Sequence, residues 1–295
     1  MNNLLNFDQL DSTLVTIMIA TAIICFLVSE ITRNYSQVDK LWSLMPVIYA
    51  VVAFTATPSP RLGIMCLLVA IWGFRLSFNF YRKGGYNIVP WKGEEDYRWM
   101  IMRRHPALKG RLRFGLFNLF FISFYQHLLI LLFSSPVLLA AKNQDRKLTL
   151  LDIAAASVML LFIIIETIAD NQQYRFHALK RRSGKQKGIY SESIGKGFLC
   201  EGLWRYVRHP NFASEQAIWI SFYFFGVAAS GNLMNWTLTG PLLLVLLFFG
   251  STRMTESISS QKYPGYVAYQ KEVPKFFPRF SISRKSEANK TSITD

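Results

Sequence analysis

The stretch GLWRYVRHPNFASEQAIW, residues 202–219, decides how this chain is built. A short amphipathic run carrying Arg205 and Arg208 meets His209-Pro210-Asn211. An apolar segment then begins, with an acid, Glu215, in its first turns. Pro210 breaks any helix running into it and biases His209 towards extended geometry. Asn211 is a good N-cap for the helix that follows. Arg205 and Arg208 are three apart and share a face on a helix. The expectation is therefore two guanidinium groups aimed at a helix N-terminus, a natural anion site. A plainer reading leaves both arginines at the headgroup level of a membrane, holding the helix in place.

Outward from this stretch the chain is a series of apolar blocks. Of its 295 residues 51% are apolar, and their long runs exclude an ordinary soluble domain. Seven windows are long enough, or nearly so, to cross a bilayer: residues 13–31, 41–57, 62–81, 115–141, 150–169, 212–230 and 233–251. The second is short, and the last two, separated only by Gly231-Asn232, fit a tight helical hairpin. The N-terminus is acidic and lacks a cleavage-site pattern, so the first block is expected to stay as a helix. The expected fold is an all-α integral membrane protein with seven transmembrane helices. One domain would cover residues 1–281, followed by a disordered Ser/Lys/Asn/Thr-rich tail over 282–295.

The net charge of +15 invites a nucleic-acid partner, but its distribution argues against one. In a seven-span chain, 28 of the 33 Lys and Arg fall on one side and 4 on the other, with Arg75 inside the third window. That asymmetry is what the positive-inside rule produces with the N-terminus outside and the C-terminus in the cytoplasm. Cys25, Cys66 and Cys200 form no CxxC, and the four histidines have no ligand spacing, so neither a disulfide framework nor a metal is expected.

Several polar residues stand out along the chain. Asp39, at the edge of the second window, is either a charge favoured by a helix N-terminus or an interior group that polarises substrate or donates a proton. Arg75 lies at membrane depth, where a cation is costly and faces a partner or a water-filled cavity; Asp39 and Glu166 are the candidates. Residues 82–113 read as a structured cytoplasmic loop. It holds Gly84-Gly85, the run Trp91-Lys92-Gly93-Glu94-Glu95-Asp96-Tyr97, and a short helix with acids at its start and bases at its end. Near the end of the fifth window Glu166, Asp170 and Gln173 share a helix face, with Gln172 and Arg175 beside them. They form either a ligand site for hydroxyls or an amide, or a solvated continuation of the helix. The glycines before residue 202 do not make a dinucleotide fingerprint, since no strand precedes them. In the tail Tyr266 and Tyr269 share a face, and either stack on an adenine or sit at the membrane interface.

RYVRHPNFASE, followed about fifty residues on by KYPGYVAYQKEVPKFFP, resembles the C-terminal half of the steroid 5α-reductase superfamily. Sterol Δ14-reductases and, more distantly, isoprenylcysteine carboxyl methyltransferases share that half. The closest likeness is to the multi-span branch that also carries VDKLW, WGFRLSFNF and GEEDYRW, and it covers most of residues 35–278. The resemblance implies a seven-helix membrane fold whose C-terminal half, from about residue 150, binds NADPH. It also implies reduction of a conjugated carbon–carbon double bond in a lipid or steroid-like substrate entering from the bilayer.

On this resemblance Asn211 and Glu215 match the N-F-x-x-E cofactor pattern, Asp170 matches the acid after the fifth helix, and Gln172 and Gln173 match the sterol-reductase amides. Glu166, Tyr206, His209, Tyr263 and Tyr266 join the same expected cofactor region. Arg175, Arg205 and Arg208 are expected phosphate ligands, and Asp39 and Arg75 the catalytic pair. The family's Glu on the second helix and Tyr on the third have no match. Asp39 or Ser43 and Trp72 stand nearest, and an indole cannot replace a phenol as proton donor. Two alternatives remain: an S-adenosylmethionine-dependent methyltransferase of a membrane-embedded acceptor, suggested by Arg253 and Glu256, and a non-catalytic lipid-binding protein. The membrane would be the bacterial inner membrane or the endoplasmic reticulum.

Overall fold

The computed structural model describes residues 7–87, 89, 93–182 and 189–278. Trp91-Lys92 of the first loop, the last six residues of the basic stretch KRRSGKQKG and the tail over 282–295 lie outside the described residues. Along the chain come α1 (Phe7–Thr32), α2 (Gln37–Leu41), α3 (Met45–Ala56), α4 (Pro60–Arg82), α5 (Tyr97–Arg104), α6 (Arg111–Phe117) and α7 (Gln126–Ser134). They are followed by α8 (Pro136–Lys142), α9 (Leu150–Arg182), α10 (Ser191–Lys196), α11 (Pro210–Ser230), α12 (Thr239–Lys262) and α13 (Tyr266–Glu272). A π-helical stretch, Asn118–Tyr125, joins α6 and α7 into one rod. Among the described residues there is no β-strand.

Among the described residues five helices are long and apolar enough to cross a membrane: Gln9–Thr32, Pro60–Arg82, Arg111–Ser134, Leu150–Arg181 and Trp236–Lys262. The other two windows depart from the sequence reading for opposite reasons. The second breaks at residues 42–44, leaving α3 with only 12 residues. That is about 18 Å of helix against a hydrocarbon core of about 30 Å. The break lies where α4 leans in: a Cβ on Gly73 would stand 2.7 Å from the Ser43 carbonyl oxygen, so only glycine allows the approach. The sixth window forms α11, whose 21 residues are long enough, but Ser214, Glu215, Gln216 and Ser221 dilute its apolarity. Those polar residues are buried, as is most of α11, because the more apolar helices wrap it.

The tight hairpin expected at Gly231-Asn232 is also absent. The chain turns at Gly231, passes a 3₁₀ turn at Trp236–Leu238 and starts α12 only at Thr239. With no Gly or Pro between Ser251 and Lys262, α12 then runs on past its apolar part. Arg253 and Glu256 are therefore helical rather than part of a loose tail.

Two registers place the polar side chains. Arg61 with Asp152 and Asn79 with Asp170 are each 91 residues apart, so α4 and α9 run parallel with a constant offset. The pairs Asp170–Asn211 and Trp72–Trp219 show α11 running antiparallel to both. Where it is described, the loop after α4 is held by side-chain bonds. Asp96 caps α5 through the Arg98 amide at 2.9 Å, and Arg103 and Arg104 close its last turn. Asn34 and Ser36 pin the loop to the corner between α1 and α2, bonding the Gly93 carbonyl at 2.7 Å and the Asp96 amide at 2.8 Å.

Candidate functional site

The parallel pair α4 and α9 and the antiparallel α11 bring one layer of polar side chains together inside the apolar body. On α4, Trp72, Arg75 and Asn79 lie three and four apart and share a face. On α9 the same level carries Glu166 and Asp170, and on α11 Asn211 and Glu215. Arg75 is the hub. Its Nη1 donates to Asp170 Oδ2 at 2.7 Å, and its Nη2 lies 2.9 Å from Glu166 Oε2 and 3.8 Å from Glu215 Oε2. Asn79 donates to the same Asp170 oxygen at 2.8 Å, and Asn211 donates to Oδ1 at 3.4 Å. Glu215 accepts two indole N–H groups, from Trp72 at 2.9 Å and Trp219 at 3.0 Å. Glu166, Asp170 and Glu215 are all buried.

This cluster is strongly coupled but incompletely satisfied. Arg75 Nε and Nη2, Glu166 Oε2 and Asn211 Oδ1 are buried without a hydrogen bond, so the short Arg75–Glu166 approach is an ion pair with poor N–H alignment. Buried polar atoms are nearly always paired, and each exception calls for an explanation. Three carboxylates also face one guanidinium, although Arg82 stands close by. It bonds Asn79 Oδ1 and Asn171 Oδ1 and lies 4.5 Å above the Tyr174 ring. A cleft of about 90 Å³ opens onto the cluster, lined by Arg75, Phe78, Asn79, Arg82, Asp170 and neighbours.

Of the expected site residues, Arg75, Glu166, Asp170, Asn211 and Glu215 meet here. Arg75 takes Glu166 as partner and not Asp39. Asp39 stays in the loop region, accepting from Trp99 Nε1 at 2.9 Å, with burial and then the Asp96 carboxylate raising its pKa against the pull of Arg98.

The converging arginines at the start of α11 are a correction to the sequence reading. The 3₁₀ turn Gly202–Arg205 ends before Arg208, so the two side chains share no helical face. Arg205 is exposed, while Arg208 is buried. Arg208 donates to Glu256 Oε1 at 2.8 Å, to the Gln270 carbonyl at 2.8 Å and to the Val273 carbonyl. It fastens the C-terminal segment. His209, not Asn211, occupies the N-cap position, because Pro210 takes the first helical place. The His209 Nε2 lies 2.9 Å from Glu256 Oε1.

The remaining expected residues have neighbours outside this cluster. Gln172 accepts from the Leu203 amide at 2.9 Å and covers Gly202, whose φ of 66 and missing Cβ the contact requires. Gln173 accepts from Lys83 at 3.4 Å, and Arg175 and Tyr206 are exposed. Tyr263 accepts from Lys180 Nζ at 3.0 Å; burial raises its pKa, but the ammonium outweighs that and lowers it overall. Tyr266 packs with Tyr269 and edge-on to Phe198, and burial pushes its pKa up to about 12. Sequence reasoning missed Trp72 and Trp219 as the holders of Glu215, and Asn79 as a second donor to Asp170. The signal was there: a polar stripe at 72, 75 and 79 on an otherwise apolar helix. Among the described residues no group of three or more His, Cys, Asp or Glu is arranged to hold a metal ion.

A protein of Schizosaccharomyces pombe (strain 972 / ATCC 24843), "Uncharacterized protein C594.04c", is 39% identical over 269 residues, covering 87% of this chain and 76% of that protein. No solved structure matches the chain. Residues 25–273 match the family described as "Protein of unknown function (DUF1295)", a span that takes in the whole Arg75 cluster. The chain is a member of that family.

Proposed function

We propose that this protein is a membrane-embedded reductase that uses NADPH to saturate a conjugated carbon–carbon double bond of a lipid or steroid-like substrate. In this reading it has the seven-crossing fold of the steroid 5α-reductase superfamily, with α3 and α11 completing the count and the C-terminus cytoplasmic. The observation that carries it is the Arg75 cluster. An ionic centre buried among apolar helices is costly, and in membrane proteins it marks function. Orphaned donors on Arg75 and an orphaned acceptor on Asn211 suit a ligand group that both accepts and donates, as a carboxamide or a ribose hydroxyl does.

The carboxylates of the cluster repel phosphate, so the pyrophosphate belongs further along α9, beside the exposed Arg175 and towards the exposed Arg205 of the 3₁₀ turn. Arg208 is already committed to Glu256 and two carbonyls and is not a ligand in this reading. When bound, the cofactor supplies a hydride. The protein's own part is to orient it through Asp170 and Asn211, to hold Glu215 between two indoles, and to keep water out. The apolar substrate enters sideways from the bilayer.

The carboxylate excess also supports a second reading, a methyltransferase using S-adenosylmethionine, which is cationic at sulfur and carries no phosphate. Thermal shift and calorimetry on purified protein in detergent, with NADPH, NADH and S-adenosylmethionine, separate the two. Stabilisation by NADPH, lost in Asn211→Ala, is expected. Stabilisation by S-adenosylmethionine alone would replace the reductase, and silence from all three would leave a lipid-binding protein.

A further inference from the structure

The donors around the three carboxylates of the Arg75 cluster are shared out unequally. Glu215 has an indole N–H on each oxygen, from Trp72 and Trp219. Asp170 has Arg75 and Asn79 on one oxygen and Asn211 on the other. An ionised carboxylate only accepts, so these two are served in the form that suits them. Glu166 is different. Its Oε2 is buried without a hydrogen bond, its ion pair with Arg75 is misaligned, and it shares Arg75 Nη2 with Glu215, at 2.9 and 3.8 Å. It is 4% exposed.

Two buried carboxylates on one guanidinium nitrogen cannot both be ionised at low cost, and a buried charge without donors neutralises instead. The charged groups around Glu166 are Arg75 from α4, Lys83 just past the end of α4, Glu215 from α11 and Asp170 from α9 itself. Of the two cations only Arg75 stands at ion-pair distance, and its best-aligned bond goes to Asp170.

We propose that Glu166 is held as a neutral carboxylic acid and is the proton store of this site. Its O–H donates to Glu215. On loss of the proton the new carboxylate is paired by Arg75 Nη2, already 2.9 Å away. The assignment of that proton to catalysis rests on the reductase reading. There the reduced nicotinamide gives two electrons and one hydrogen to one alkene carbon. The other carbon needs one proton, which Glu166 releases, and the solvent restores it.

The test is infrared difference spectroscopy in H₂O and D₂O on the full-length protein in detergent, without any cofactor. A protonated-carboxyl C=O band at pH 7 that shifts in D₂O is expected, absent in Glu166→Gln and retained in a variant of an exposed carboxylate, Glu192→Gln. Glu166→Gln, an isostere of the neutral acid, is expected to keep the wild-type melting temperature. If NADPH stabilises wild type, it is expected to stabilise this variant equally while turnover falls at least tenfold. No such band in the wild type, or a band that survives Glu166→Gln, would overturn the proposal. A band present with no response to NADPH would remove the reductase and leave the neutral acid standing.

Discussion

Arg61 and Arg75 lie on the same helix, both face α9, and both pair with buried carboxylates, yet the two sites differ in kind. Arg61 is 1% exposed and fully occupied. It donates through Nε and Nη2 to the two oxygens of Asp152 at 2.7 and 3.0 Å, and through both Nη groups to the carbonyls of Arg146 and Lys147. Thr149 completes Asp152 with its amide and its hydroxyl. Arg75 has three acids, poor alignment to two of them and two nitrogens without hydrogen bonds. A closed, bidentate pair with every lone pair served locks α4 to α9 in register. An open cluster with surplus acid makes a poor lock. The same chemistry serves structure at one end of the helix pair and is available to a ligand at the other.

The largest effect expected from this comparison is at the closed end. Arg61→Ala leaves Asp152 buried without its partner and should cost about 3–5 kcal/mol, seen as a collapse of the melting temperature in detergent. Replacing both members with apolar residues should recover most of it. A mild loss in Arg61→Ala would erase the distinction between the two sites.

Arg208→Ala comes next. It removes a charge-assisted bond to Glu256 and strips two carbonyls, for about 2–3 kcal/mol, read by thermal unfolding. Full stability with weakened NADPH binding would return Arg208 to the cofactor. Asp170→Asn is the matching test at the open end. It keeps the shape, removes one of the crowded charges, and should change stability by about 1 kcal/mol or less. Ligand binding should weaken at least tenfold, about 1.4 kcal/mol, by calorimetry.

How far the sequence carried this picture follows from the same physics. Helix existence was legible wherever apolar residues ran on long enough, as in α1, α4 and α9, because hydropathy is a local property. The break at residues 42–44 was not, since it depends on Gly73 of another helix reaching the Ser43 carbonyl. Arg75 and Glu166 announced themselves, because a charge in an apolar run demands a partner. Arg208 misled because an arginine near a helix start looks alike whether it waits for a phosphate or is already spent. Only Glu256, 48 residues on, decides between them. Trp72 and Trp219 were hidden for a third reason: their indole N–H groups matter only once α4 and α11 are known to cross at Glu215.

The smallest expected effect concerns pH and the latch that Arg208 shares with His209. The His209 backbone amide donates to the Lys275 carbonyl at 3.1 Å, and the Arg208 amide donates to the Pro274 carbonyl at 2.9 Å, so the C-terminal segment is strapped across the start of α11. Burial lowers the His209 pKa below its ordinary 6.5, and Arg208 and Lys275 push the same way. The bond to Glu256 opposes them without winning. Protonation therefore favours the unfastened state. The contribution of His209 is complete above about pH 6.5 and is lost as the pH falls through its lower folded value. Hydrogen exchange of α13 should slow less from pH 7 to 5 than the intrinsic rate does, and His209→Asn should remove that excess. The Arg61–Asp152 region should show no such step over the same range. An excess that grew with rising pH would mean that Glu256 prefers the imidazolium, and the strap would then tighten in acid.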